Sequence, residues 1–228
     1  MLLVARDEER LAEAAVRVRL QSGIIVHTLS VDLARPGAAQ SILQHVDGLE
    51  LVPEFLVNNA AAACPGPYHA TPVEEVLSLV DLNIRVTSEL IGRLLPSMIA
   101  SGRGGILNVA SLAGLVATPN LAAYGASKAY MISLTRALAI EAKGRGVKIA
   151  VLAPGPVDTE FLVRNGMTRR TLLELVHSMR PELVARVAYE GFASGRVVIV
   201  PGLLNLLYSV GLKLLPQALL AGLVRRAL

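Results

Sequence analysis

Short apolar runs alternate along the chain with longer stretches patterned for helix. Leu2–Ala5 is apolar and short. Asp7–Leu20 is charged and Ala-rich, with Leu11, Ala14, Ala15 and Val18 on one helical face, and Gly23 ends it. Ile24–Leu29 reads as the next strand, and Gly37–Val46 as a helix with Pro36 at a favoured first-turn position. Phe55–Asn58 is a third strand. A loop rich in Ala and Pro leads into a long helical region from about Pro72 to Ala100, expected to break near Asp81. Gly104 and Gly105 open a strand at Ile106–Val109, Ala122–Ala142 is strongly helical, and Val147–Leu152 is an apolar strand stopped by Pro154-Gly155. Thr171–Met179 and Glu182–Ser194 read as helices and Val197–Val200 as a last strand.

Strands apolar on both faces, alternating with helices, predict a parallel sheet covered by helices on both sides. Right-handed crossovers make this a doubly wound, Rossmann-like α/β layer, in which ligands bind at the C-terminal strand ends. A chain of 228 residues is read as one domain, residues 1–228. Its apolar tail, Leu203–Leu228, repeats Leu203, Leu206, Leu207, Val210 and Leu214 at helical spacing. Pro201 and Gly202 spoil the uncharged run as a membrane span. The tail is expected to be a helix packed on the substrate side or on another subunit, with peripheral contact at a membrane surface as the alternative.

Composition narrows the classes. Hydrophobic residues are 53% and charged residues 18%, which excludes a disordered chain. The single Cys64 cannot close an internal disulfide, and no His/Cys cluster supports zinc, so no metal is expected. A lone thiol fits a reducing compartment, and a cytoplasmic location is expected. Arg6, Asp7, Glu8, Glu9 and Arg10 cut the first apolar run far short of a signal-peptide core. The net charge of +4 is scattered and aromatics are only 4%, which argues against nucleic-acid binding.

The candidate chemistry lies around the helix at Ala122–Ala142. Tyr124 and Lys128 are four apart and share a face, so an ammonium can stand near a phenol and lower its pKa. Such a phenol can exchange a proton with a substrate oxygen. Ser111 follows the strand Ile106–Val109, and its hydroxyl can bond the same oxygen; it can equally just cap the turn. The stretch from Asn108 to Gly114 (Asn-Val-Ala-Ser-Leu-Ala-Gly), followed by Tyr124-Gly-Ala-Ser-Lys128, resembles the catalytic segment of the short-chain dehydrogenase/reductase family. The resemblance covers nearly the whole chain. It implies that Ser111 orients a carbonyl, Tyr124 is the proton donor or acceptor, and Lys128 holds the nicotinamide ribose. It also assigns Asn83 to a kinked helix that supports a relay water. Asn58-Asn59-Ala60 resembles the family's Asn-Asn-Ala-Gly motif, with Ala61 where Gly is usual, so Asn59 and Ala60 are expected beside the adenosine. Pro154, Gly155, Val157 and Thr159 resemble the loop that meets the nicotinamide carboxamide, and Asp32 the acid at the adenine. Arg6 at the end of the first strand suits a ribose 2′-phosphate, so NADP(H) is expected over NAD(H).

One part of the pattern is missing. The family opens with a strand, a Gly-rich turn and a helix that receive the pyrophosphate. This sequence instead starts at what resembles the second strand, so the family's first strand and helix are absent. The absent strand belongs near the middle of the sheet, and its neighbours would lose their ladder partners. Two explanations stay open: a start downstream of the natural one, which is the expectation, or a shortened relative. The function expected is NADP(H)-dependent interconversion of a ketone and a secondary alcohol on a small apolar substrate. The alternative is a non-catalytic subunit or binding module. Met167, Leu172, Leu173 and Val176 are the expected apolar wall for the substrate, and a homo-oligomer is the expected assembly.

Overall fold

The computed structural model describes residues 1–167, 178–203 and Asn205. Strand β1 (Leu2–Ala5) leads into α1 (Glu8–Ser22), whose N-cap Asp7 accepts a bond from the Arg10 amide. Gly23 closes α1 in the left-handed conformation at φ 69°, where a side chain would be strained. Strand β2 (His27–Ser30) starts later than the apolar run Ile24–Leu29 predicts, because only His27 onward lies beside β1. Helix α2 (Ala38–Gly48) has Gly37 as its N-cap, so Pro36 sits ahead of the helix rather than in its first turn.

Strand β3 (Phe55–Asn58) is followed by a loop and α3 (Val73–Val80). The predicted break near Asp81 is a π-helical turn, Asp81–Arg85, before α4 (Val86–Ser101). Strand β4 (Gly104–Val109) starts at the two glycines themselves. A Cβ on Gly105 would lie 2.4 Å from the Phe192 ring and 2.9 Å from the Lys148 carbonyl, so this strand start has no room for a side chain. Helix α5 (Ala122–Glu141), β5 (Val147–Leu152), a short α6 (Phe161–Arg164), α7 (Pro181–Ala193) and β6 (Val198–Ile199) complete the described elements.

The strands are parallel throughout, but they form two sheets: β1-β2 and β3-β4-β5-β6. Within the larger sheet the alternation of side chains decides the layers. Ile106 and Ile149 pack with Ile91, Leu94 and Met98 of α4, while Ala150 and Leu152 pack with Val184 and Ala188 of α7 on the opposite face. Helices α2 and α4 also cover the smaller sheet, through Ile42, Val46, Val86 and Leu90 against Leu2, Val4, Leu29 and Val31.

The expectation that every strand is buried on both faces holds only for the middle of the sheet. Strands β2 and β3 alternate between half-buried and exposed residues, and Phe55 and Val57 are 62% and 59% exposed. Met179 pairs with Val157 in a parallel bridge, so the helix expected over Thr171–Met179 does not include its last residue. Ser178 is not helical either, and residues 171–177, with Leu172, Leu173 and Val176, lie outside the described residues, as do Leu206, Leu207, Val210 and Leu214 of the tail. Among the described residues no helix is long and apolar enough to cross a membrane.

Candidate active site

A cleft of about 2660 Å³ opens between the two sheets and runs over the C-terminal ends of the strands. Arg6, Asp32, Asn59, Ala60, Ser111, Tyr124, Lys128, Pro154, Gly155, Val157 and Thr159 all line it. Asn83 stands behind the wall, 3% exposed. These residues thus lie along one cleft, while Asn83 stands one layer back.

The core of the site is the start of α5. Lys128 is 4% exposed and donates from Nζ to the Val109 carbonyl at 2.8 Å, while its Nζ stands 5.6 Å from the centroid of the Tyr124 ring. Burial in this low-dielectric wall lowers the Lys128 pKa from 10.5 to about 8. Burial also raises the Tyr124 phenol above its ordinary value, and a hydrogen bond with Ser111 pulls it partly back. The expectation that the ammonium depresses Tyr124 is thus corrected: the amine is turned to a carbonyl, and desolvation of the phenolate dominates.

Ser111 is the N-cap of a short turn, Leu112–Leu115, where its Oγ accepts from the Ala113 amide at 3.2 Å. It is therefore a capping residue and a neighbour of the phenol at once. Gly114 lets this turn lie on α5: a Cβ there would stand 2.6 Å from the Lys128 carbonyl carbon and 2.7 Å from the Ala129 nitrogen. The spacing between Ser111 and Tyr124 depends on that close approach.

Asn83 sits in the π-helical turn. Its Oδ1 accepts from the Ala62 amide and its Nδ2 donates to the Ala62 carbonyl, both at 3.0 Å. The same Nδ2 donates to Ser127 Oγ at 3.0 Å, and Ser127 Oγ donates to the Tyr124 carbonyl at 2.7 Å. Asn83 so ties the loop after β3 to the helix that carries the phenol. Asn58 Nδ2 donates to Asn108 Oδ1, and Asn108 Nδ2 to Thr135 Oγ1, which locks β3, β4 and α5 together.

Several residues were not legible in the sequence. Phe161 covers the Tyr124 ring at a centroid distance of 5.8 Å. Asn165 Oδ1 accepts from the Ala63 amide at 2.8 Å, next to the residue held by Asn83. Phe161 opens α6 and Asn165 caps its C-terminus, and a helix of four residues is too short to leave a periodic signal.

The residues of the cofactor side are also placed. Arg6 is exposed at the end of β1 and, among the described residues, has no ion-pair partner. Asp32 is partly engaged: its Oδ1 accepts from the Ala34 amide at 3.1 Å and its Oδ2 stands 3.7 Å from Arg35 Nε. Thr159 Oγ1 accepts from the Phe161 amide at 3.3 Å, which leaves its hydroxyl hydrogen free to donate. The donor set fits the two ends of a nicotinamide dinucleotide, with a buried amine and phenol at one end and a free guanidinium at the other.

Residues 1–169 match the family model of the short chain dehydrogenases. The chain belongs to that family. It is 35% identical over 169 residues to sulfoacetaldehyde reductase 2 of Chromohalobacter salexigens, a match that covers 73% of this chain and 66% of that protein. The chain thus spans a little under two thirds of that relative's length. A solved 7beta-hydroxysteroid dehydrogenase shares the fold at a TM-score of 0.83 and 25% identity, over 93% of this chain and 82% of the other. A short-chain dehydrogenase from Sphingobium yanoikuyae, solved in complex with NADPH, matches at a TM-score of 0.81 and 28% identity, over 95% and 86%. These likenesses make the dehydrogenase a member of an oxidoreductase family with a Rossmann-like fold.

Proposed function

We propose that this dehydrogenase is an NADP(H)-dependent oxidoreductase that interconverts a ketone and a secondary alcohol on a small apolar substrate. The observation that carries the reading is the buried Lys128 beside Tyr124 and Ser111, on the wall of the cleft that Arg6 also lines. The nicotinamide, when bound, supplies or takes the hydride. The chain's own part is to hold and move a proton. Tyr124, a phenol that is protonated at neutral pH and that burial holds above its ordinary value, donates to the substrate oxygen during reduction. Ser111 bonds the same oxygen and sets its position. Lys128 and Thr159 hold the nicotinamide end, Asn59, Ala60 and Asp32 the adenosine end, and Pro154, Gly155 and Val157 the carboxamide. Arg6 pairs with the 2′-phosphate, and the NADPH-bound Sphingobium neighbour supports that preference. Phe161 and Met167 on the cleft wall suit an apolar substrate, and the hydroxysteroid neighbour is consistent with one.

The chain works as a single domain, in a reducing cytoplasm and as a homo-oligomer, in the same reading. Its test is a titration with NADPH and NADH followed by cofactor fluorescence, then a screen of ketones. Saturable NADPH binding, weakened about tenfold in Arg6→Ala while NADH is unaffected, is expected. Turnover in Tyr124→Phe should fall by a factor of about 100 or more; full activity there removes Tyr124 from the mechanism. A second reading, a binding module without turnover, is favoured by the divided sheet. A folded chain that binds neither nucleotide supports it.

A further inference from the structure

The cations are scattered along the sequence, but the fold gathers four of them. Arg136 on α5, Lys143 in the turn after it, Lys148 on β5 and Arg196 in the loop before β6 line one pocket of about 500 Å³. That volume lies within the roughly 300–1,000 Å³ of a small-molecule pocket. The pocket sits at the N-terminal end of β5 and the C-terminal end of α5, whereas Tyr124 stands at the start of α5. It is a different place from the cleft, and nothing in it depends on the reaction proposed there.

Its charge has no countercharge. Among the described residues no Asp or Glu lines the pocket, and none of the four cations stands in an ion pair. Elsewhere Arg10, Arg35, Arg85, Arg103 and Arg164 each find a carboxylate. Lys148 donates instead to the Ala193 carbonyl at 2.7 Å, which anchors its ammonium and leaves hydrogens to spare. Like charges around one hollow raise the local potential and favour an anion there.

The pocket also holds a backbone donor with no strand beside it. The Val151 amide donates to the Val197 carbonyl and the Ala153 amide to the Ile199 carbonyl, so the odd-numbered residues of β5 turn their backbone groups away from β4. Ile149 faces the same way, but the pairing with β6 starts only at Val151. Ile149 lines the pocket and is 5% exposed, so its amide needs an acceptor that the sheet does not supply. The remaining wall is apolar: Phe192, Ile140 and Val197 line it, and the last two are 76% and 38% exposed.

We propose that this pocket binds a phosphomonoester. Its phosphate sits among Arg136, Lys143, Lys148 and Arg196 and accepts from the Ile149 amide, and its apolar body lies against Phe192, Ile140 and Val197. Three terminal oxygens suit donors that arrive from several elements, where a carboxylate offers only two.

The test titrates the whole chain with phenyl phosphate in a calorimeter. Saturable binding is expected, equal in Arg6→Ala, and at least tenfold weaker in the double variant Arg136→Gln/Arg196→Gln. Both of those side chains are exposed, so the urea midpoint of the double variant should not move. Phenyl phosphate should slow hydrogen exchange at the Ile149 amide at least tenfold and leave Ala62 and Ala63, on the cleft side, unchanged. Phosphatidylcholine vesicles with and without phosphatidic acid separate two sources of the same head group. Sedimentation that needs phosphatidic acid and is lost in the double variant supports the site with a lipid as its ligand. Phenyl phosphate binding without sedimentation supports it with a soluble ester. No binding, binding lost in Arg6→Ala, equal binding in the double variant, or no slowing at Ile149 overturns the proposal. So does a chain that self-associates with the Ile149 amide already protected, which would make a second copy the occupant.

Discussion

The buried amine of Lys128 makes a measurable claim about stability. Its pKa falls from 10.5 to about 8 in the folded chain. The unfolded chain therefore holds that proton more tightly than the folded one. Between pH 8 and 10.5 unfolding takes up a proton, so the contribution of Lys128 to stability rises with pH in that window. Below pH 8 the folded chain carries the charge at its full cost, about 3 kcal/mol at about 1.4 kcal/mol for each pKa unit. The residue is 4% exposed, so solvent screening does not reduce this much. Lys128→Met removes the charge but leaves the Val109 carbonyl without its donor, a loss of about 1–3 kcal/mol. At pH 7 the variant should therefore match the wild type or exceed it by up to about 2 kcal/mol. The cleaner quantity is the difference between the two proteins against pH: the wild type should gain about 2 kcal/mol on the variant between pH 7.5 and 10. Tyr124 and Cys64, whose pKa values are raised, contribute with the opposite sign in both proteins and largely cancel in the difference. Urea unfolding followed by far-ultraviolet circular dichroism suits a chain without Trp. Parallel curves, or a wild type that loses ground as pH rises, would refute the reasoning. The same variant should lose turnover while keeping its fold, so a residue that costs stability at neutral pH is held for the site.

Three further outcomes follow from the geometry. Asn83→Ala should cost about 2 kcal/mol for the buried bonds it removes, and should speed hydrogen exchange at Ala62 while Ala63, held by Asn165, stays slow; equal changes at both amides would mean that the whole loop moves. Gly114→Ala places a methyl 2.6–2.8 Å from the backbone of α5 and should cost about 1–3 kcal/mol in urea unfolding, with at least a tenfold fall in kcat as Ser111 is pushed away. Because burial raises the Tyr124 pKa, alcohol oxidation, which needs the phenolate, should climb with pH into the alkaline range, whereas ketone reduction should be fastest near or below neutrality; a pH-independent oxidation rate would count against Tyr124 as the base.

The order of elements and the site could be read in the sequence because both are written locally. The alternation of strand and helix stands in the runs themselves, and Tyr124 and Lys128 share a face through helical spacing alone. Asn83 was placed by its resemblance, and the π-helical turn gives the physical reason for the break at Asp81. What stayed hidden depends on contacts between distant segments. The apolar residues Ile24 and Ile25 look like strand, but β1 begins its pairing at Leu2 opposite His27, and register decides where a strand starts. Phe55 and Val57 look like core by composition but line the cleft and are exposed. Phe161 and Asn165 act through tertiary placement of a one-turn helix, for which a sequence window has no signal.

The two halves of the site are held by different means. The half that carries Ser111, Tyr124 and Lys128 is built on β4 and α5, and its side-chain bonds form a closed set: Asn58 to Asn108 to Thr135 on one side, Asn83 to Ser127 to the Tyr124 carbonyl on the other. Asn108, Thr135, Ser127 and Asn83 are each 3% exposed or less, and buried networks whose members are all satisfied are rigid. The half that carries Arg6 and Asp32 has no strand bond to that core. It is held by the apolar layer of α2 and α4 and by the Arg10–Glu160 pair, whose side chains are about half exposed and contribute at most about 1 kcal/mol. The two sheets are therefore joined by side-chain packing and an exposed ion pair, whereas the geometry of Ser111, Tyr124 and Lys128 rests on buried hydrogen bonds among β3, β4, the π-helical turn and α5.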